Sequence, residues 1–296
     1  MLKTFSTICR MSQADLKKYV AKELKTTHDK VINENGFVYA QGTFPVLLVA
    51  HLDTVHKQLV KHMTYDGNKK TVSSPQGIGG DDRCGVYMIL EIIKKYHCSV
   101  LFCEDEEIGG IGAEKFTKWK PAQQLMFNYI IEFDRKGKND AVFYECDNEE
   151  FEAFITKDFY KTSFGTFSDI SVLAPALGCA AVNLSCGYYN AHTTSEYVVL
   201  PEMQASIDAA CKILARTTDE DVFEYIETDY YYGRFGDSWL DDRMSLNEED
   251  YFIEFINDIG DVDYEKIVAF SKAEAVGKFC MEHPTVPYSS IYVLEI

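Results

Sequence analysis

The stretch PVLLVAHLDTVH, residues 45–56, begins as an unbroken apolar run and ends in two histidines, an aspartate and a threonine. A run of this length, rich in Val and Leu and entered from a Gly-containing turn, reads as a buried strand. Its end does not suit a core, because imidazole and carboxylate are costly to bury without partners. In an extended chain residues i and i+2 face the same way. His51 and Asp53 therefore share a face, and Asp53 can accept a hydrogen bond from one nitrogen of His51 while the other nitrogen is presented to a metal.

The same pattern recurs outward from this strand. Residues 36–40, GFVYA, read as a neighbouring strand, and residues 12–24 as a surface helix with Ser12 as its N-cap. GIGGDDRCGVYMILEIIKKY (77–96) is a glycine-rich turn leading into a helix from about Gly85 to Tyr96. A strand at Ser99–Cys103 precedes the polar cluster EDEEIGGIG, and NYIIEF (128–133) is a strand ending at Asp134. AVFYE is a further strand, FSDISVLAPAL a helix opening at Ser168, CAAVNLS a strand, and 201–217 an amphipathic helix with Pro201 near its start. Strands alternating with helices predict a three-layer α/β/α sandwich over a mainly parallel, mixed sheet. Ligands of such sheets gather at the carboxyl ends of the strands.

The chain has 296 residues and a net charge of -18, which disfavours nucleic-acid phosphate as a partner. No apolar stretch approaches the roughly 18 residues of a membrane span, and MLKTFSTICR does not read as a signal peptide, so a cytoplasmic protein is expected. Nine cysteines without a C-x-x-C pair read as reduced core thiols. From residue 217 onward there are 20 acidic and 5 basic residues, a net of -15. This shift divides the sequence into a domain over 1–216 and an acidic, aromatic extension over 217–296, in which NEEDYFIEFINDI and YEKIVAFSKAEAVGKFCMEH read as two helices.

Each apolar segment of the first part ends in a carboxylate or imidazole: His51 and Asp53, Asp81 and Asp82, Glu106 and Glu107, Asp134, and His192. Singly, each suits a loop, a cap or a solvated acidic turn. Together at one sheet edge they would repel one another unless cations lay between them. Carboxylates with imidazoles and no thiolate suit zinc, cobalt or manganese. Glu106 and Glu107, being adjacent, point apart, so one can bind metal while the other holds water as a base.

Five elements in order, AHLDTV, GGDDRCG, EDEEIGGIGA, EFDR and NAHTTSEY, resemble the co-catalytic di-zinc exopeptidases that include peptidase T, the carboxypeptidase G and aminoacylase relatives, and the glutamyl aminopeptidases. The resemblance spans residues 50–197. It implies two divalent metal ions, with His51 binding one, Asp81 bridging both, Glu107 and His192 completing one site and Asp134 the other. It further implies Glu106 as catalytic base, Asp53 as the group orienting His51, and a cis peptide between Asp81 and Asp82. Relatives of the carboxypeptidase G and peptidase T type carry a dimerisation lid of about a hundred residues before the final His. Only 57 residues separate Asp134 from His192 here, so no lid-mediated dimer is expected. The expected activity is hydrolysis of small peptides by an aminopeptidase or dipeptidase. The alternatives are an N-acyl amino acid deacylase with the same metals, or a non-catalytic metal-binding scaffold working through its acidic tail. Tyr188 and Tyr189 are candidate hydroxyl donors to the oxyanion, though packing suits them better, and Asp169 is a candidate supporting or helix-capping group.

Overall fold

The computed structural model describes residues 1–165, 167–227, 249–256, 262–269 and 291–294, together with residues 275, 278, 279, 283 and 286. It separates into two compact units, Met1–Thr228 and Asp229–Ile296. In the first, α1 (Leu2–Cys9) and α2 (Gln13–Leu24) precede β1 (Val31–Glu34), β2 (Phe37–Ala40), β3 (Phe44–His51), β4 (Thr64–Asp66) and β5 (Thr71–Ser73). There follow α3 (Gly80–Ile92), β6 (Cys98–Cys103), α4 (Ile111–Lys118), β7 (Tyr129–Arg135), β8 (Asp140–Val142), α5 (Glu149–Thr156) and β9 (Lys161–Thr162). α6 (Asp169–Leu177), β10 (Ala181–Ser185), β11 (Tyr188–Tyr189), β12 (Tyr197–Val199) and α7 (Leu200–Arg216) complete the unit.

The central sheet has the order β1-β2-β6-β3-β7-β10-β8-β9. Its four middle strands, β6, β3, β7 and β10, run parallel, while β1, β2 and β8 pair antiparallel with their inner neighbours. This is the mainly parallel, mixed sheet that the alternation of strands and helices predicts. Both faces are covered, which is why β3 reads as a continuous apolar run rather than an alternation. Along it Val46, Leu48 and Ala50 enter one hydrophobic core with α1, α3 and α7, whereas Leu47 and Val49 enter a second core with α4 and α6.

Helix boundaries shift modestly from the sequence reading. Ser12 does cap α2, its hydroxyl accepting from the Asp15 amide at 3.2 Å, and α3 begins at Gly80 with the Asp81-Asp82 peptide in the cis form. α1, α4 and α5 are helices that the sequence reading left unassigned. The residues between Asp134 and His192 are used up by β8, α5, β9, α6 and β10, three of them strands of the central sheet. The segment after α7 stays with the first unit: Phe223 N donates to Asn128 O at 2.8 Å and its carbonyl accepts from Ala180 N at 2.9 Å. Among the described residues no helix is long and apolar enough to cross a membrane, and the described cysteines are free, all but Cys211 buried.

Gly85 carries a sharp steric requirement. A β-carbon there would overlap the carbonyl oxygen of Phe133 and both carboxylate oxygens of Asp82, so only glycine lets α3 approach β7 this closely. Gly85→Ala is expected to destabilise the fold by about 3 kcal/mol or more, the upper range for overpacking, with loss of soluble protein or a lowered Tm as the readout. An unchanged Tm would refute the close approach.

The second unit corrects the expectation of two helices. β13 (Glu249–Ile256) pairs antiparallel with β14 (Val262–Ala269) and with β15 (Ile291–Leu294). The physical reason is period: Tyr251, Ile253 and Phe255 alternate onto one face and are buried with Ile267, Ala275 and Phe279, and alternation over aromatic and β-branched residues favours a strand. Of the second expected helix, residues 264–269 are strand and Ala275, Lys278 and Phe279 are helical. His283 is described and not helical, and the rest of both expected helices lies outside the described residues.

Candidate metal centre

Strand parity delivers the first group of ligands. On β3 the residues sharing a face with Leu47 and Val49 end in His51; on β7 those sharing a face with Ile130 continue to Glu132 and Asp134; on β10 Asn183 follows Ala181. All lie at the carboxyl ends of the parallel strands, toward the α4/α6 side. Three loops complete the ring: the turn into α3 with Asp81, the turn after β6 with Glu106 and Glu107, and the segment between β11 and β12 with His192.

The structure brings every one of these residues together. His51 Nε2 lies 3.0 Å from Asp81 Oδ1, 3.4 Å from Asp134 Oδ1 and 4.0 Å from Glu106 Oε2. His192 Nε2 lies 3.1 Å from Asp81 Oδ2 and 3.1 Å from Glu107 Oε2. Two ligand groups result, His51/Asp81/Asp134 and Asp81/Glu107/His192, each with its donor atoms within 4.8 Å of one another. Asp81 belongs to both, one oxygen to each. Asp53 lies behind the first group, its Oδ1 3.1 Å from His51 Nδ1. The same carboxylate accepts from the amides of Glu106 and Glu107, each at 3.1 Å. It thereby fixes the ring of His51 and the turn carrying both glutamates.

The donor set fits divalent ions. It is all carboxylate oxygen and imidazole nitrogen, three groups per site, and Glu107 Oε1 is buried without a hydrogen-bond partner. Electrostatics point the same way. Burial first, then the neighbouring Asp81 charge, pushes the Asp134 carboxyl up to about 7. Burial, only partly opposed by His51, pushes Glu106 up to about 9, with Asp134, Asp169 and Asp81 adding to the rise. Burial would also raise Asp81, but hydrogen bonds from His192 and His51 outweigh it and hold that carboxyl well below the usual range. Hydrogen bonds to Asp81 and Glu107 raise His192 to about 10. Burial and mutual repulsion thus make Asp134 and Glu106 hold protons more readily than free carboxyls, and divalent ions in the ring would relieve the same repulsion.

Several supporting groups escaped the sequence reading. Glu196 is fully buried and accepts from the amides of Gly79 (2.8 Å) and Asp81 (3.0 Å) and from His56 Nε2 (2.8 Å), holding the turn that presents Asp81. It sits inside NAHTTSEY, where only His192 draws attention. The carboxylate of Asp82 turns away from the ligands and accepts from His51 N at 3.2 Å and Gly85 N at 2.8 Å. Ser168, at the entry to α6, bonds Glu132 and lies 3.3 Å from Asp134 Oδ2, and Asn183 Oδ1 accepts from Asp134 N at 2.9 Å. Asp169 is fully buried beside the Cys103 thiol. The two tyrosines are committed elsewhere: Tyr188 OH donates to Asp134 O at 2.9 Å, and Tyr189 OH donates to Glu202 at 2.6 Å while its ring stacks on Tyr197. Neither is free to serve an oxyanion.

No family model matches the sequence, and no curated protein does so either. Solved structures do match. Aminopeptidase PepT from Bacillus cereus aligns at 14% identity over 72% of this chain and 96% of its own, with a TM-score of 0.59. A tripeptidase from Staphylococcus aureus gives 14% identity, 73% and 98% coverage and a TM-score of 0.58. An aminopeptidase of the archaeon Desulfurococcus kamchatkensis gives 15%, 74% and 96%, and 0.58. Over nearly three quarters of this chain the fold is that of these structures.

Proposed function

We propose that the protein is a metal-dependent peptidase that hydrolyses small peptides from the amino end, as an aminopeptidase or dipeptidase. The observation carrying this reading is the sharing of Asp81 between two complete ligand groups, with the unliganded carboxylate of Glu106 beside them. Two divalent ions held there, zinc by donor chemistry with cobalt or manganese as substitutes, would supply Lewis acidity, acidifying a water and polarising a carbonyl. His51, Asp81, Glu107, Asp134 and His192 hold them.

The chain's own residues do the rest. Asp53 keeps His51 Nδ1 occupied and so directs Nε2 inward. Glu106 faces the ring without belonging to either ligand group, and with divalent charge beside it to favour its ionised form it would take a proton from the attacking water and return it to the leaving amine. The anionic surroundings favour a substrate with a free α-ammonium over one with an acidic end.

The full chain, loaded with zinc, cobalt or manganese, is expected to hydrolyse dipeptides and amino-acid anilides and to spare N-acetyl amino acids. Liquid chromatography of the products checks this. Hydrolysis of the N-acetyl compounds alone would favour the deacylase, and no hydrolysis at all would overturn the catalytic reading.

A further inference from the structure

Two large apolar side chains stand exposed at the rim of the metal centre. Ile108 is 69% exposed and directly follows Glu107; Phe167 is 43% exposed and directly precedes Ser168, the neighbour of Asp134. The turn carrying Glu106 and Glu107 closes on itself, with Gly109 N and Gly110 N donating to Glu106 O at 2.9 and 3.0 Å. The Phe167 ring lies against this turn, its Cζ 2.9 Å from the place a β-carbon on Gly110 would take, so the glycine makes room for the ring. Single exposed apolar residues are ordinary on a protein surface. Here one follows a ligand directly, the other lies two positions before Asp169, and the two segments touch.

A peptide whose first carbonyl meets the ligand ring places its first side chain within a few bonds of these residues. Its ammonium would face the carboxylate side of the ring, where Glu106 Oε2 lies 4.0 Å from His51 Nε2 and the Ser168 hydroxyl joins Glu132 to Asp134. We propose that Ile108 and Phe167 form the subsite for the substrate's first residue, and that this subsite selects large apolar side chains. The proposal rests on the peptidase reading above and adds its specificity. Glutamate at the first position would bring a further negative charge into an anionic rim, and alanine would leave both apolar groups wet.

The test uses the full zinc-loaded chain and the dipeptides Leu-Gly, Phe-Gly, Ala-Gly and Glu-Gly. Wild type is expected to favour Leu and Phe over Ala by about tenfold or more in kcat/KM, as apolar pockets do per few methylenes, and to reject Glu. Phe167→Ala and Ile108→Ser should each shrink the Leu/Ala ratio several-fold, whereas Phe167→Leu should retain most of it. Both positions are on the surface, so folding is not at stake. Met126→Ala is the control: that side chain is 92% exposed just before β7, at the opposite ends of the strands, and its ratio should stay at the wild-type value. An active enzyme that prefers Ala or Glu, or whose ratio ignores Phe167→Ala, overturns the subsite while leaving the peptidase reading intact. Failure to cut any of the four, alongside bound metal, sinks the peptidase reading and the subsite with it.

Discussion

Glu106→Gln is expected to lower peptide hydrolysis by about 100- to 10,000-fold, the range for removal of a positioned proton-transfer group, without loss of bound metal. The expectation follows from where Glu106 sits. Its carboxylate reaches within 4.0 Å of His51 Nε2 but belongs to neither ligand group, so the substitution removes a base and not a ligand. Glutamine keeps the shape, and the Glu106 backbone amide still donates to Asp53, so the turn that places Glu107 survives. The loss should fall on kcat with KM little changed, because proton transfer is made in the transition state. Single-substrate kinetics with metal quantification on the same preparation decide the matter. If activity persists within about tenfold, well short of the loss a general base implies, then Glu106 is not the base.

The clustering of the candidate metal centre was legible in the sequence because parallel strands carry their polar residues to one edge. His51 and Asp134 follow from the ends of apolar runs, and the turns after β6 and before α3 announce themselves by glycine beside acid, whereas Glu132, on the same face of β7 as Asp134, drew no attention. What could not be read is which neighbours hold those ligands in place. Glu196 looks like a loop acid, yet it is fully buried and secures three donors. Its role depends on the hairpin β11-β12 pairing with β5 and β4, a contact between residues more than a hundred positions apart. Ser168 reads as a helix cap, yet its hydroxyl turns to Glu132. In the acidic extension the error ran the other way. EDYFIEFI offers both a helical stripe and a strict alternation, and only the partner strands β14 and β15 settle it, since strand preference is largely a matter of neighbours.

Asp81→Ala should abolish binding of both ions at once, in contrast to His192→Ala, which should cost one. Asp81 Oδ1 serves His51's group and Oδ2 serves that of His192, so alanine leaves each with only two protein donors where structural and catalytic zinc sites keep three or four. Metal quantification after dialysis is expected to fall from two ions per chain, one for each ligand group, to background, and hydrolysis with it. Thermal melting separates this from simple unfolding. Wild type should gain about 2.7 kcal/mol of stability for each site that sees metal at a hundred times its Kd, seen as a raised Tm, whereas the Asp81→Ala protein should melt at one temperature with and without metal. The metal-free variant should still fold, because the cores on both sheet faces do not include Asp81. If the variant kept one ion and a metal-dependent Tm, the two groups would be independent sites, and the shared carboxylate would not be the feature on which the chemistry turns.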